Sequence, residues 1–116
     1  MSASETFFEQ YITTALWSSL DDDGQPFDST IDQNNIDNVA LDELRSDCDK
    51  FVEANADDLA DIDPGQAGHD FWLTRNHHGA GFWDRGLGDV GDRLTKAAHV
   101  YGEVNLYRGD DGKLYV

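Results

Sequence analysis

The charge of this chain is concentrated in its first half, and that asymmetry most limits how it can fold. Residues 1–63 hold 17 acidic and 2 basic side chains, whereas residues 64–116 hold 7 acidic and 6 basic ones. A net charge of -16 on 116 residues repels itself on compaction, so folding needs a substantial apolar core with the carboxylates kept outside it. The composition supplies one: 39% of residues are hydrophobic, including three Trp, four Tyr and six Phe, enough for a single domain without disulfides or a structural metal.

The sign of the charge also excludes function classes. Bringing a strongly negative body to a polyanion costs electrostatic energy, so direct binding to nucleic acid or to an anionic membrane is not expected, and partners should be basic, or metal cations. No run of 18 apolar residues occurs and no basic-then-apolar leader opens the chain, which reads as a non-exported, cytoplasmic protein. Cys48 is the only cysteine, and no zinc-ligand spacing is present. It lies on an apolar stripe between Asp47 and Asp49, which disfavour a thiolate, and reads as a buried structural thiol. No cofactor is implied, and the expected state is a monomer or small homo-oligomer.

Phe8, Tyr11, Ile12, Ala15 and Leu16 recur at helical spacing, predicting a helix over 4–20 with Ser2 and Glu5 as a capping box. Asp21 to Gly24 and Pro26 stop it, and 28–35 reads as loop. Leu41, Leu44, Cys48, Val52 and Leu59 predict a second helix over 39–60, with a possible break at Ala54 and Asn55. Asp63 before Pro64 is an N-cap followed by proline at the first helical position, predicting a third helix to about Asn76. A fourth, capped by Asp89 or Asp92, should run to Tyr101. Alternation from Val104 to Arg108, then Gly109-Asp110-Asp111-Gly112, predicts a hairpin with a four-residue turn. The expectation is one mostly helical α+β domain over 1–116, with about four helices and a C-terminal two-stranded β-hairpin.

Two segments carry candidate chemistry. On the second helix Asp42, Asp49, Glu53 and Asp57 fall in one narrow sector opposite the apolar stripe. Carboxylates four residues apart are about 6 Å apart along the axis, approximating successive phosphates on a DNA strand, and both groups offer acceptor-only oxygens. Such a ridge can fill the phosphate-binding groove of a DNA-binding protein. Two plainer readings stand beside it: ordinary solvation of an outer helix face, and salt adaptation, which the 19 Asp against 5 Glu and only three Lys also fit.

The second segment spans 68–86 and holds His69, Asp70, Trp72, Arg75, His78, Trp83, Asp84 and Arg85. As a contact surface it offers aromatics and charges. As an alternative, His69, Asp70, His78 and Asp84 form a His/carboxylate metal set, or a His base oriented by a carboxylate, with Arg75 or Arg85 holding an anion. The structural reading makes the two Phe-Trp pairs core anchors and lets His and Arg satisfy buried carbonyls and carboxylates.

The stretches Gly-His-Asp-Phe-Trp-Leu-Thr-Arg-Asn at 68–76, Gly-Ala-Gly-Phe-Trp-Asp-Arg-Gly at 79–86 and Gly-Asp-Arg-Leu-Thr at 91–95 resemble a family of small acidic bacteriophage and prophage proteins. The likeness extends more loosely to Ala-Leu-Trp-Ser-Ser at 15–19 and to the C-terminal Gly-Asp-Asp-Gly turn. It implies a phage-borne accessory protein acting on host machinery in the host cytoplasm, and brings no assigned activity. The family pattern has glycine where this chain has His77. Together these readings point to a small acidic protein that binds a basic, nucleic-acid-binding host protein, as a DNA mimic or host-takeover inhibitor.

Overall fold

A computed structural model of the chain describes residues 3–19, 36–78 and 81–116. The Ser2 cap, the stop at Asp21 to Pro26, the loop 28–35 and the Gly79-Ala80 dipeptide lie outside the described residues. Helix α1 spans Ala3–Ser18 and buries Phe7, Phe8, Tyr11, Ile12, Ala15 and Leu16, the face set by the three-and-four spacing. Helix α2 spans Asn38–Ala54 and buries Ala40, Leu44, Cys48 and Phe51. Its cap is Asp37, whose Oδ2 accepts from the Val39 and Ala40 amides at 3.0 and 3.3 Å.

The second predicted helix is two helices. At Asn55 both the backbone N–H (3.1 Å) and the side-chain Nδ2 (2.9 Å) donate to the Phe51 carbonyl. Asparagine competes in this way for its own backbone partners, and the short helix α3, Ala56–Leu59, restarts beyond it. Helix α4 spans Pro64–Arg75 as expected, with Asp63 accepting from the Gln66 amide at 3.0 Å. Helix α5 spans Asp89–His99 and ends two residues before Tyr101. Neither Asp89 nor Asp92 caps it: Gly88 does, at φ 63, a left-handed conformation that glycine adopts without strain. Both aspartates fall in the first turn, where the helix dipole favours negative charge.

Strands β1, Tyr107–Arg108, and β2, Leu114–Tyr115, pair antiparallel with Tyr107 opposite Tyr115 and Arg108 opposite Leu114. The Gly112 N–H donates to the Gly109 carbonyl at 3.0 Å, closing the four-residue turn, and Gly112 has φ 82. A two-stranded hairpin is marginal alone. Here Ile36 bridges Leu114 in parallel, the Asp37 N–H donates to the Leu114 carbonyl at 2.8 Å, and Leu114 is fully buried. The fold is thus mostly helical α+β with a C-terminal two-stranded antiparallel sheet. No helix among the described residues is long and apolar enough to cross a membrane.

Helices α1 and α4 make the most extensive contact in the fold. Gly68 sits where they come closest, and a Cβ there would run into the Phe7 carbonyl. Around this crossing the aromatics stack: Phe51 lies parallel to Phe71 with centroids 4.1 Å apart, and Tyr11 stacks on Phe71 at 5.2 Å. Each such ring, fully buried, contributes about 1.5–3 kcal/mol, which is what opposes the charge repulsion of the first half.

Candidate functional site

All four ridge carboxylates, Asp42, Asp49, Glu53 and Asp57, are exposed. The first three share one face of α2, opposite the buried Leu44, Cys48 and Phe51. Asp57 belongs to α3, beyond the Asn55 break, so the ridge is three carboxylates on one helix continued by one on the next. Among the described residues none of the four forms an ion pair, whereas two neighbouring acids do. Asp47 meets Arg75 at 2.9 Å and Asp58 meets Arg93 at 2.7 Å. The basic side chains of the second half therefore neutralise the flanks of α2 and α3 and leave the outer ridge unopposed. Arg45, one of the two bases of the first half, lies with its guanidinium 4.2 Å over the Phe8 ring.

In the 68–86 segment, helix α4 distributes its side chains between core and surface. Trp72 is buried, with its indole N–H donating to the Ser18 hydroxyl at 2.8 Å. Trp83, in a 3-10 turn over Phe82–Asp84, is 53% exposed although Phe82 beside it is fully buried. The two Phe-Trp dipeptides thus have different fates, because the first lies on a helix enclosed by α1 and the second on a short surface turn.

Both arginines are hydrogen-bonded within the fold. Arg75 is buried and donates to the Gly102 carbonyl (2.9 Å), the Tyr101 carbonyl (2.9 Å), the Tyr11 hydroxyl (3.0 Å) and Asp47 (2.9 Å). Arg85 grips the buried Asp70 with Nη2 at 2.8 Å and Nε at 3.2 Å from both oxygens, while Gln66 Nε2 donates to the same carboxylate at 3.1 Å. A guanidinium fork held bidentate is a positioning contact, and every fully buried side-chain polar atom among the described residues has a partner. Both arginines thus join elements of the fold.

His69 is half-buried between α1 and α4. The Thr14 hydroxyl donates to the Gln10 carbonyl at 2.8 Å, so it accepts from His69 Nδ1, also at 2.8 Å. A hydroxyl has one proton to give, which places the neutral imidazole's proton on Nδ1 and its lone pair on Nε2. Burial pushes the His69 pKa below its ordinary value, against the raising influence of the Asp70 carboxylate. Trp17 stacks on the imidazole at 5.8 Å. A shallow polar groove beside it is lined by Gln10, Asp63, Gly65, Gln66 and His69.

His78 is exposed, with its backbone N–H donating to the Leu73 carbonyl at 2.9 Å. Asp84 accepts from the Gly81 N–H at 3.1 Å and lies 3.8 Å from Arg85 Nε. The four candidate metal ligands are not gathered: no cluster of three or more His, Cys, Asp or Glu among the described residues can hold an ion. Cys48 is buried, and burial first, then the charges of Asp47 and Asp49, push its thiol pKa far up. Comparison with protein-family models, with curated proteins and with solved structures finds no match to this chain.

Proposed function

We propose that this chain is a small acidic binding module that occupies the nucleic-acid-binding surface of a basic partner protein, a phage-type accessory inhibitor working in the host cytoplasm. The observation that carries the reading is the exposed, ion-pair-free row of Asp42, Asp49 and Glu53 on α2, continued by Asp57. Asp49 and Glu53 are four residues apart, hence about 6 Å along the axis, and rigid helical placement holds their charges in fixed relative positions. Arg75 and Arg93 pair with Asp47 and Asp58 on the flanks of the same helices, so the ridge itself carries only negative charge, with the exposed Arg45 and Lys50 to either side of it. A predominantly negative face accelerates encounter with a basic surface.

A catalytic reading of His69, Asp70, His78 and Asp84 has less support, since Asp70 is committed to Arg85 and Gln66 and Asp84 to Gly81. The test is capture by immobilised protein from host lysate at low salt, with elution by competing duplex DNA. The expected result is a basic nucleic-acid-binding protein released by DNA and no longer retained once Asp42, Asp49 and Asp57 are changed to Asn and Glu53 to Gln. Retention unaffected by those four substitutions overturns the reading.

A further inference from the structure

We propose that His77 and His99 form a two-imidazole clip for one divalent transition-metal ion, tying the loop after α4 to the C-terminal end of α5. The two rings lie with centroids 4.5 Å apart and planes inclined by 32°. Two imidazole nitrogens on one ion, each at about 2.0–2.1 Å, place ring centroids about 4.5–5 Å apart, so the separation is already that of a chelate. Ligation also needs both nitrogens to turn toward a common point, and the terminal side-chain torsion of histidine is broad.

Three further observations converge on the pair. Both residues are exposed, and no hydrogen bond or ion pair among the described residues uses either imidazole, so their nitrogens are available. His77 is the one non-glycine among the described residues with a positive φ, at 56°. That conformation closes the C-terminal cap of α4, where the His77 N–H donates to the Thr74 carbonyl at 3.1 Å and the His78 N–H to the Leu73 carbonyl at 2.9 Å, and it fixes the backbone from which the His77 side chain leaves. His99 lies in the last turn of α5, the end of the helix at which the dipole favours a cation. The chain's net charge of -16 raises the local concentration of divalent ions further.

Imidazole selects borderline ions such as Ni²⁺, Cu²⁺ and Zn²⁺ over Mg²⁺ and Ca²⁺, which take oxygen donors. With two protein ligands the remaining positions go to water, in keeping with the absence of any three-ligand cluster among the described residues. This selectivity separates the clip from the acidic ridge, whose carboxylates take Mg²⁺ as readily. Ligation adds a bond between two elements already joined by Arg75 to the Tyr101 and Gly102 carbonyls and by the Val104 N–H to Asn76 Oδ1 at 2.9 Å, so metal that binds the folded state stabilises it.

The test is calorimetric titration of the whole protein with NiCl₂ in buffer containing excess MgCl₂ to occupy carboxylates. One Ni²⁺ per chain is expected. Loss of an outer hydrogen-bond partner alone costs a metal site about 10- to 100-fold in affinity, so His77→Asn and His99→Gln should each weaken binding at least that much. Both substitutions are at exposed positions, and asparagine tolerates the left-handed backbone, so circular dichroism should show the fold intact. His78→Gln should bind like the parent. Suppression of the titration by Mg²⁺, equal affinity in His77→Asn, or loss of binding in His78→Gln overturns the clip.

Discussion

Arg75 and Asp47 meet at 2.9 Å across the boundary between the acidic and the near-neutral halves, with the arginine buried in the core and the aspartate only one-third exposed. The pair does more than cancel two charges. Through the same guanidinium α4 is bonded to Tyr11 of α1 and to the carbonyls of Tyr101 and Gly102, so one side chain fastens four parts of the chain.

Replacing Arg75 by Met therefore strands a carboxylate, a hydroxyl and two carbonyls at once. Removing one partner of a buried ion pair costs about 3–5 kcal/mol, and the partial exposure of Asp47 sets the expectation at the low end. Urea denaturation should show that loss, with Asp47→Asn losing less because the guanidinium keeps its three other acceptors.

Gly68→Ala tests the contact between α1 and α4. In an exposed helix interior the change gains about 1 kcal/mol, but here the new methyl meets the Phe7 carbonyl, a backbone group that cannot swing aside. Overpacking costs about 1–3 kcal/mol, so the expected sign is destabilising. Gly65→Ala is the control: its Cβ would meet only the Asp63 carboxylate at 3.2 Å and a Thr6 methyl at 3.8 Å, and thermal unfolding should barely change.

His69 makes stability pH-dependent in a defined window. Its folded-state pKa lies below the ordinary 6.5 because burial disfavours the cation. Below pH 6.5 the unfolded chain thus binds the proton more readily than the folded one, and stability falls with falling pH until the folded-state value is passed. Unfolding midpoints followed from pH 7.5 downward should drop across that range in the parent and drop less in His69→Gln. An identical slope in both would assign the effect to other groups.

Neutralising the ridge with Asn at 42, 49 and 57 and Gln at 53 should raise the melting temperature at low ionic strength, since four exposed like charges are removed from a chain of net charge -16. Screening shortens the Debye length to about 3 Å at 1 M salt. The difference between variant and parent should therefore shrink as salt is added.

Much of the helical layout was legible because its signals are local. Asp63-Pro64 declares a helix start in two residues, Asn55 interrupts a helix through its own Phe51 carbonyl, and the Gly109 to Gly112 turn closes within four residues. What was not legible depends on partners distant in sequence. Nothing near Arg75 indicates that Asp47 and Tyr11 will surround it, and Asp70 finds Arg85 only after the chain has passed through the 3-10 turn. The same limit applies to tryptophan: Trp72 and Trp83 share a Phe-Trp context, and only the placement of α1 decides that one is enclosed and the other is not. The ridge carboxylates were found from helical periodicity alone, but the His77 and His99 pairing was not, because it joins a loop to the far end of another helix.

The bridge from Ile36 to Leu114 sets the order in which this protein can be completed. Leu114 leaves the ribosome after α1 to α5, so the entrance to α2 at Ile36 and Asp37 lacks its bridge while those helices are already available to associate. The first turn of the negative helix is thus completed after its middle, which Phe51 and Asp47 already fasten to Phe71 and Arg75, and a nascent chain halted before Leu114 would display the carboxylates on a helix whose starting point is not yet fixed.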